Sequence, residues 1–145
     1  MDTSTIGLSI ENAWLDDDML ELVLKISNGR FAGQAIFYAA LNAPLEFAQH
    51  IAGFPTSIAD VREYEFGDTN VSDDGGAKIR LSCKDRTGHI VVQASVYMPR
   101  RGSVKGIESA NIQFETTPSD IDSFVGEIRR WQGGVGEIAV LPLAK

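Results

Sequence analysis

The sequence reads as an α+β protein: a mainly antiparallel sheet of about six to eight strands, packed by two helices, in one layered domain spanning residues 1–145. Apolar residues recur with a period of two in most segments, as in half-buried strands. These runs are joined by short polar turns, as in hairpins. Only two segments switch to helical spacing, so the order of elements is strands, helix, strands, helix. Long hairpins with few crossovers favour an antiparallel sheet.

In chain order, Ile6, Leu8 and Ile10 alternate with Gly7, Ser9 and Glu11, which predicts a short first strand. Trp14 and Leu15 lead into a polar turn at Asp16, Asp17 and Asp18. Leu20, Leu22, Leu24 and Ile26 form the second strand and run into Asn28-Gly29. That dipeptide tolerates positive φ at both centres of a type I′ turn, so a hairpin to Phe31–Tyr38 is predicted. Asn42 and Pro44 mark a helix start. Leu45, Ala48, Ile51 and Ala52 give its apolar stripe, and Gly53-Phe54-Pro55 its end. Val61 to Phe66 is a further strand and Asp68 to Gly76 a polar loop. Ile79, Leu81 and Cys83 alternate with charged neighbours and turn through Asp85–Gly88 into Ile90–Met98, a second long hairpin. Ile107 to Thr116 follows, with Ala110, Ile112 and Phe114 on one face. Thr117-Pro118-Ser119-Asp120 is a helix start in which the Thr117 hydroxyl accepts from the N–H three residues on. Ile121, Phe124, Val125, Ile128 and Trp131 form the apolar face of this helix, which Gly133-Gly134 ends. Ile138, Val140 and Leu143 supply a last edge strand or packed tail. The pattern leaves open whether the sheet is flat, sandwiched or barrel-like.

Composition sets bounds on function. The chain has 145 residues, 43% hydrophobic and 23% charged, enough to form a core without metal or disulfide support. Its single cysteine excludes an internal disulfide. There is no basic and apolar leader at the N-terminus and no apolar run near the ~20 residues that cross a bilayer, so a cytoplasmic protein without membrane contact is expected. The net charge of −7 argues against nucleic acid, whose binding needs a basic surface.

Catalytic and metal motifs are weak. Two histidines and one cysteine at distant positions do not make a zinc site. His50 reads as a surface or boundary residue of the first helix and His89 as an exposed residue at a hairpin end. Cys83 and His89 flank one turn, as a nucleophile and its base would. Cys83 nevertheless shares a phase with Ile79 and Leu81 and reads as a small core residue. Asp68–Ser72 begins like a calcium loop but lacks its glycine and its bidentate glutamate. Gly133–Gly136 follows a helix, the wrong order for a phosphate cradle. No catalytic residue, metal site or cofactor is therefore expected.

Charge is the uneven feature. Residues 1–72 hold 11 of the 20 acidic residues and only 3 of the 13 basic ones. Glu11, Asp16, Asp17, Asp18, Glu63, Glu65 and Asp68 are the candidate partner-binding residues, since an acidic field favours encounter with a basic partner. Lys78, Arg80, Lys84, Arg86, Arg100, Arg101 and Lys105 mark a smaller basic cluster around the second hairpin.

The order of these elements resembles the WapI-like bacterial immunity proteins and their uncharacterised relatives. The resemblance rests on Trp14-Leu15, on Leu20-Glu21-Leu22 leading into a hairpin, and on a short helix with Leu45-Glu46-Phe47. It continues in the Gly88–Val92 strand and in Ile112–Ile121, where a strand turns into the final helix. It implies a non-enzymatic protein that neutralises a polymorphic toxin by direct binding; the acidic half of this chain would suit a basic toxin domain as that partner. Two other readings compete. One is a small-molecule binder or minor enzyme with a site between sheet and helices, near Trp14, Tyr38, Tyr64 and Trp131. The other is a homodimer built through an exposed edge strand.

Overall fold

The computed structural model describes residues 6–67, 74–100, 102 and 106–144. Among them are eight strands and two helices: β1 (Gly7–Leu15), β2 (Met19–Ser27), β3 (Ala32–Ala40), α1 (Ala43–Ile51), β4 (Val61–Gly67), β5 (Gly76–Cys83), β6 (Ile90–Pro99), β7 (Ile107–Thr116), α2 (Pro118–Arg129) and β8 (Ile138–Pro142). This is the expected α+β architecture, with the strands divided between two four-stranded antiparallel sheets. The first has the order β3-β2-β1-β8 and the second β4-β5-β6-β7. Helix α1 carries the chain from the first sheet to the second, and α2 carries it back so that β8 can pair with β1. None of the helices is long and apolar enough to cross a membrane.

Alternation decides which face of each strand is inside. Leu22, Leu24 and Ile26 of β2 and Ala35 and Phe37 of β3 are buried, as are Ile79 and Leu81 of β5 and Val92, Ala94 and Val96 of β6. With Phe47 and Ile51 of α1 and Ile121, Phe124, Val125 and Ile128 of α2 they form one continuous cluster. At its centre the Phe47 ring meets Tyr64, Phe66 and Phe124 at centroid distances of 5.2, 5.0 and 6.0 Å. Rings at such spacing add packing energy beyond their buried area.

Strand β3 joins the layers. Its outer edge lies against the second sheet, where the Ile36 N–H donates to Met98 Sδ (3.2 Å) and the Tyr38 N–H to Asp74 Oδ2 (3.1 Å). The edge is thereby covered rather than left open to pair with another chain.

Several local expectations are corrected. Strand β1 does not stop at Glu11 but runs to Leu15. Its register shifts between Asn12 and Trp14, leaving Ala13 as the extra residue of a bulge that breaks the alternation. The first hairpin turns through four residues, since Ser27 pairs with Ala32. Asn28 does not adopt positive φ; its Oδ1 instead accepts from the N–H groups of Arg30 and Phe31. Asn42 precedes α1 without a side-chain cap bond; its carboxamide nitrogen donates to Glu46 Oε1 (3.0 Å). The buried face of α1 runs through Ala43, Pro44, Phe47, Ala48 and Ile51, which leaves Leu45 outside. At α2 the Thr117 hydroxyl accepts from the Asp120 N–H (3.2 Å), the predicted cap. Cys83 keeps the phase of Leu81, but it stands at the strand end and is only partly buried.

Candidate binding surface

The seven acidic candidates fall in different places. Glu63 and Glu65 lie on the outer face of β4, in the second sheet, opposite basic residues of β5. Glu63 is bridged by Lys78 (3.3 Å) and Arg80 (3.8 Å). Lys84, further along, pairs with Glu115 (2.8 Å). Acidic and basic residues here largely offset one another within the sheet. Asp68, Arg101 and Lys105 lie outside the described residues, as does the Asp68–Ser72 segment.

Glu11 and the three aspartates belong to the first sheet. Glu11 sits on the outer face of β1, in register with Val23 and Ile138. The turn between β1 and β2 carries Asp16, Asp17 and Asp18. Asp16 organises it: its Oδ1 accepts from the N–H groups of Asp18 (2.8 Å) and Met19 (2.9 Å). Those two bonds hold its pKa below the usual aspartate value. Asp17 and Asp18 take no such part in the turn among the hydrogen bonds of the described residues.

The strand register brings together residues that lie far apart in the sequence. Trp14, Glu21 and Tyr38 are aligned across β1, β2 and β3 on the outer face. Trp14 and Tyr38 stand edge to face, 6.0 Å between centroids, and are 44% and 49% exposed. Met19, 39% exposed, flanks them beside the aspartate turn. Two aromatic rings, a methionine and a group of carboxylates thus share one end of one sheet face. The bulge places Trp14 there: without the extra residue at Ala13, position 14 would share the inward phase of Ile10.

The four aromatic residues expected between sheet and helices do not converge. Trp14 and Tyr38 are on the outer face. Tyr64 points inward from β4, stacked near Phe47 and Phe66, and burial, with Glu46 nearby, raises its phenol pKa. Trp131 follows the end of α2, at a cleft between the helices and the first sheet.

The Cys83 neighbourhood forms a second surface depression, of about 470 Å³, with Asp85, Arg86 and His89 among its lining. His89 Nδ1 lies 2.8 Å from Asp85 Oδ2 and 3.0 Å from Thr87 Oγ1. Asp85 also accepts from the Thr87 hydroxyl and N–H, and these bonds, with His89, depress its pKa strongly. The arrangement closes the hairpin turn. Cys83 Sγ donates to the Ser57 carbonyl (3.6 Å) rather than to the imidazole. Burial, and then the Asp60 and Asp85 carboxylates, push the thiol pKa up, away from the thiolate that a nucleophile needs. Among the described residues no group of three or more His, Cys, Asp or Glu side chains is placed to hold a metal ion.

Compared with protein-family models, curated proteins and solved structures, the chain matches none.

Proposed function

We propose that this chain is a non-enzymatic binding protein that takes a basic protein partner on the outer face of the first sheet. The observation that carries the reading is the exposed Trp14–Tyr38 pair, with Glu21 in register between the rings and the Asp16–Asp18 turn beside them. Tryptophan and tyrosine dominate the energetics of protein interfaces because they bury a large area with few rotatable bonds. Their faces also attract guanidinium and ammonium groups. Carboxylates around such anchors speed the approach of a cationic surface and select against acidic ones. The resemblance to immunity proteins implies a toxin as partner, and a basic toxin domain has the chemistry this surface fits.

The test is co-expression with the toxin-like product of an adjacent reading frame, reading growth rescue and co-purification. Replacing Trp14 and Tyr38 together by Ala is expected to weaken binding by at least about thirtyfold, the scale of an aromatic hot spot. Asp17→Asn with Asp18→Asn, which spares the turn-forming Asp16, is expected to slow association and flatten its salt dependence. Wild-type chain that neither rescues growth nor retains the toxin, or a folded aromatic double variant that binds undiminished, overturns the reading.

A further inference from the structure

The cleft at Trp131 is a separate feature, on the opposite side of the first sheet from the acidic and aromatic face. Its volume is about 360 Å³, within the roughly 300–1,000 Å³ typical of small-molecule pockets. Leu20 and Ile128 line its buried part, 5% and 3% exposed. Leu41 and Leu45 stand at its mouth, 48% and 44% exposed. The stripe of α1 that sequence periodicity assigned to the core thus leaves Leu45 facing open space.

Asn42, Arg129 and Glu137 also belong to its lining, and one further polar side chain, Asn12, enters from the sheet. Asn12 shares the inward phase of Leu8 and Ile10 on β1 and is 2% exposed. Most of its hydrogen-bonding capacity is spent on the loop between α2 and β8. The Asn12 N–H donates to the Glu137 carbonyl (2.9 Å), the Asn12 carbonyl accepts from the Gly136 N–H (2.8 Å), and Nδ2 donates to the Gly134 carbonyl (3.2 Å). That last bond also fixes which end of the carboxamide is oxygen, since the reverse orientation would set two acceptors against each other. The loop is further tied by Glu137, whose Oε1 accepts from the Gly134 N–H (2.7 Å), and it needs positive φ at Gly133 and Gly136. Asn12 Oδ1 is left over: it is buried and has no hydrogen-bond partner among the described residues. Buried acceptors are nearly always satisfied, because an unsatisfied one loses its hydration with nothing in return.

We propose that the cleft is a binding site for a small molecule with an apolar body and one N–H or O–H donor, which Asn12 Oδ1 accepts while Leu20, Leu45, Ile128 and Trp131 enclose the body. The glycine-rich loop forms one wall through Gly133 and Glu137, and the cleft opens to the surface beside Leu41 and Leu45. The inference is independent of the partner surface proposed above and stands or falls without it.

Matched probes test it on the wild-type chain: indole against 1-methylindole, and phenol against anisole, each pair differing in the donor. Backbone amide shifts of Leu20, Leu45, Ile128 and Trp131, and the Asn12 side-chain amide, are followed by NMR titration. In at least one pair the donor form is expected to bind about fivefold to tenfold tighter, the worth of one hydrogen bond. Asn12→Leu is expected to abolish that preference while keeping affinity for the donorless form. Equal affinity within both pairs, shifts confined to residues outside the cleft, or no saturable shift with any probe overturns the proposal. The wild-type comparison decides alone if the variant does not fold.

Discussion

Arg62 ties together three pieces of chain that local sequence rules treat separately. Its Nη1 donates to the carbonyls of His50 (3.2 Å) and Ala52 (2.8 Å), which α1 leaves unpaired at its C-terminal end. Its Nη2 meets Asp60 Oδ2 at 2.9 Å, and the guanidinium lies 5.3 Å from the centre of the Phe54 ring. Asp60 in turn accepts from the Thr56 N–H and hydroxyl, so the segment between α1 and β4 is held at both ends. Arg62→Met is expected to destabilise the fold by about 2 kcal/mol in urea titration, since hydrogen bonds to charged groups contribute ~1.5–3 kcal/mol. Arg62→Lys is expected to recover less than half, because an ammonium cannot span carbonyls and carboxylate with one planar fork. A loss below ~0.5 kcal/mol for the methionine variant, the level of an ordinary surface substitution, would reduce the network to surface decoration. The same site has a pH signature. The Arg62 hydrogen bond, then the Thr56 N–H, hold the Asp60 carboxyl below its ordinary value of 3.8. A depressed folded pKa gives stability that is present in full above the unfolded value and lost as pH falls through the folded one. Asp60→Asn is therefore expected to flatten the acid limb of the stability profile below about pH 4, and an unchanged limb would contradict the assignment.

At the scale of elements, the contact between β3 and the second sheet depends on missing side chains. A Cβ on Gly75 would stand 2.5 Å from the Ile36 carbonyl and 3.0 Å from that of Tyr97, both backbone atoms. A Cβ on Gly33 would meet Val96 Cγ2 at 2.8 Å and Ala110 Cβ at 3.2 Å, both side-chain rather than backbone atoms. Gly75→Ala is accordingly expected to cost more than Gly33→Ala, within the ~1–3 kcal/mol of overpacked interiors, and the reverse order in thermal melts would show that the sheets can slide apart there. Neither glycine announces this role, because a close approach between distant strands leaves no local trace. Local patterns do carry the strand phases of Leu22–Ile26 and Ile90–Val96, and the Thr117 cap. The alternation gave no warning of the bulge at Ala13, so the outward turn of Trp14 was invisible. Asn12 did leave a signal, a polar residue in phase with Leu8 and Ile10, but extending that phase past Glu11 required a strand longer than the pattern predicted. The Trp14–Glu21–Tyr38 row depends on the register of three strands, which no single segment encodes. The acidic excess was legible as a sum, but its division between two sheets was not.

The path of the chain makes the two sheets one folding unit. The inner face of each is covered by the other and by the helices, and buried residues from all of them belong to a single cluster. Sheet one cannot be completed early: β1 needs β8, and the Gly7–Pro142 pairing joins opposite ends of the described chain. Without β8, the edge of β1 carrying Leu8 and Ile10 loses its neighbours Leu141 and Ala139, both buried. Closing so long a loop costs entropy that only the finished core offsets, which favours an all-or-none transition over stepwise assembly. The two tryptophans allow this to be checked, since Trp14 reports on the first sheet and Trp131 on the junction of α2 with β8. Fluorescence of Trp131→Phe and of Trp14→Phe, and far-ultraviolet circular dichroism of the wild type, are expected to give coincident urea transitions once each variant's own stability shift is subtracted. Leu141→Ala should move all three probes together by ~2–4 kcal/mol, as removing a buried leucine from a shared core does. A Trp131 signal lost well before the Trp14 signal would mean that α2 and β8 detach while the remaining strands stay folded. The cleft at Asn12, built on that same junction, would then open on a low-energy path of its own.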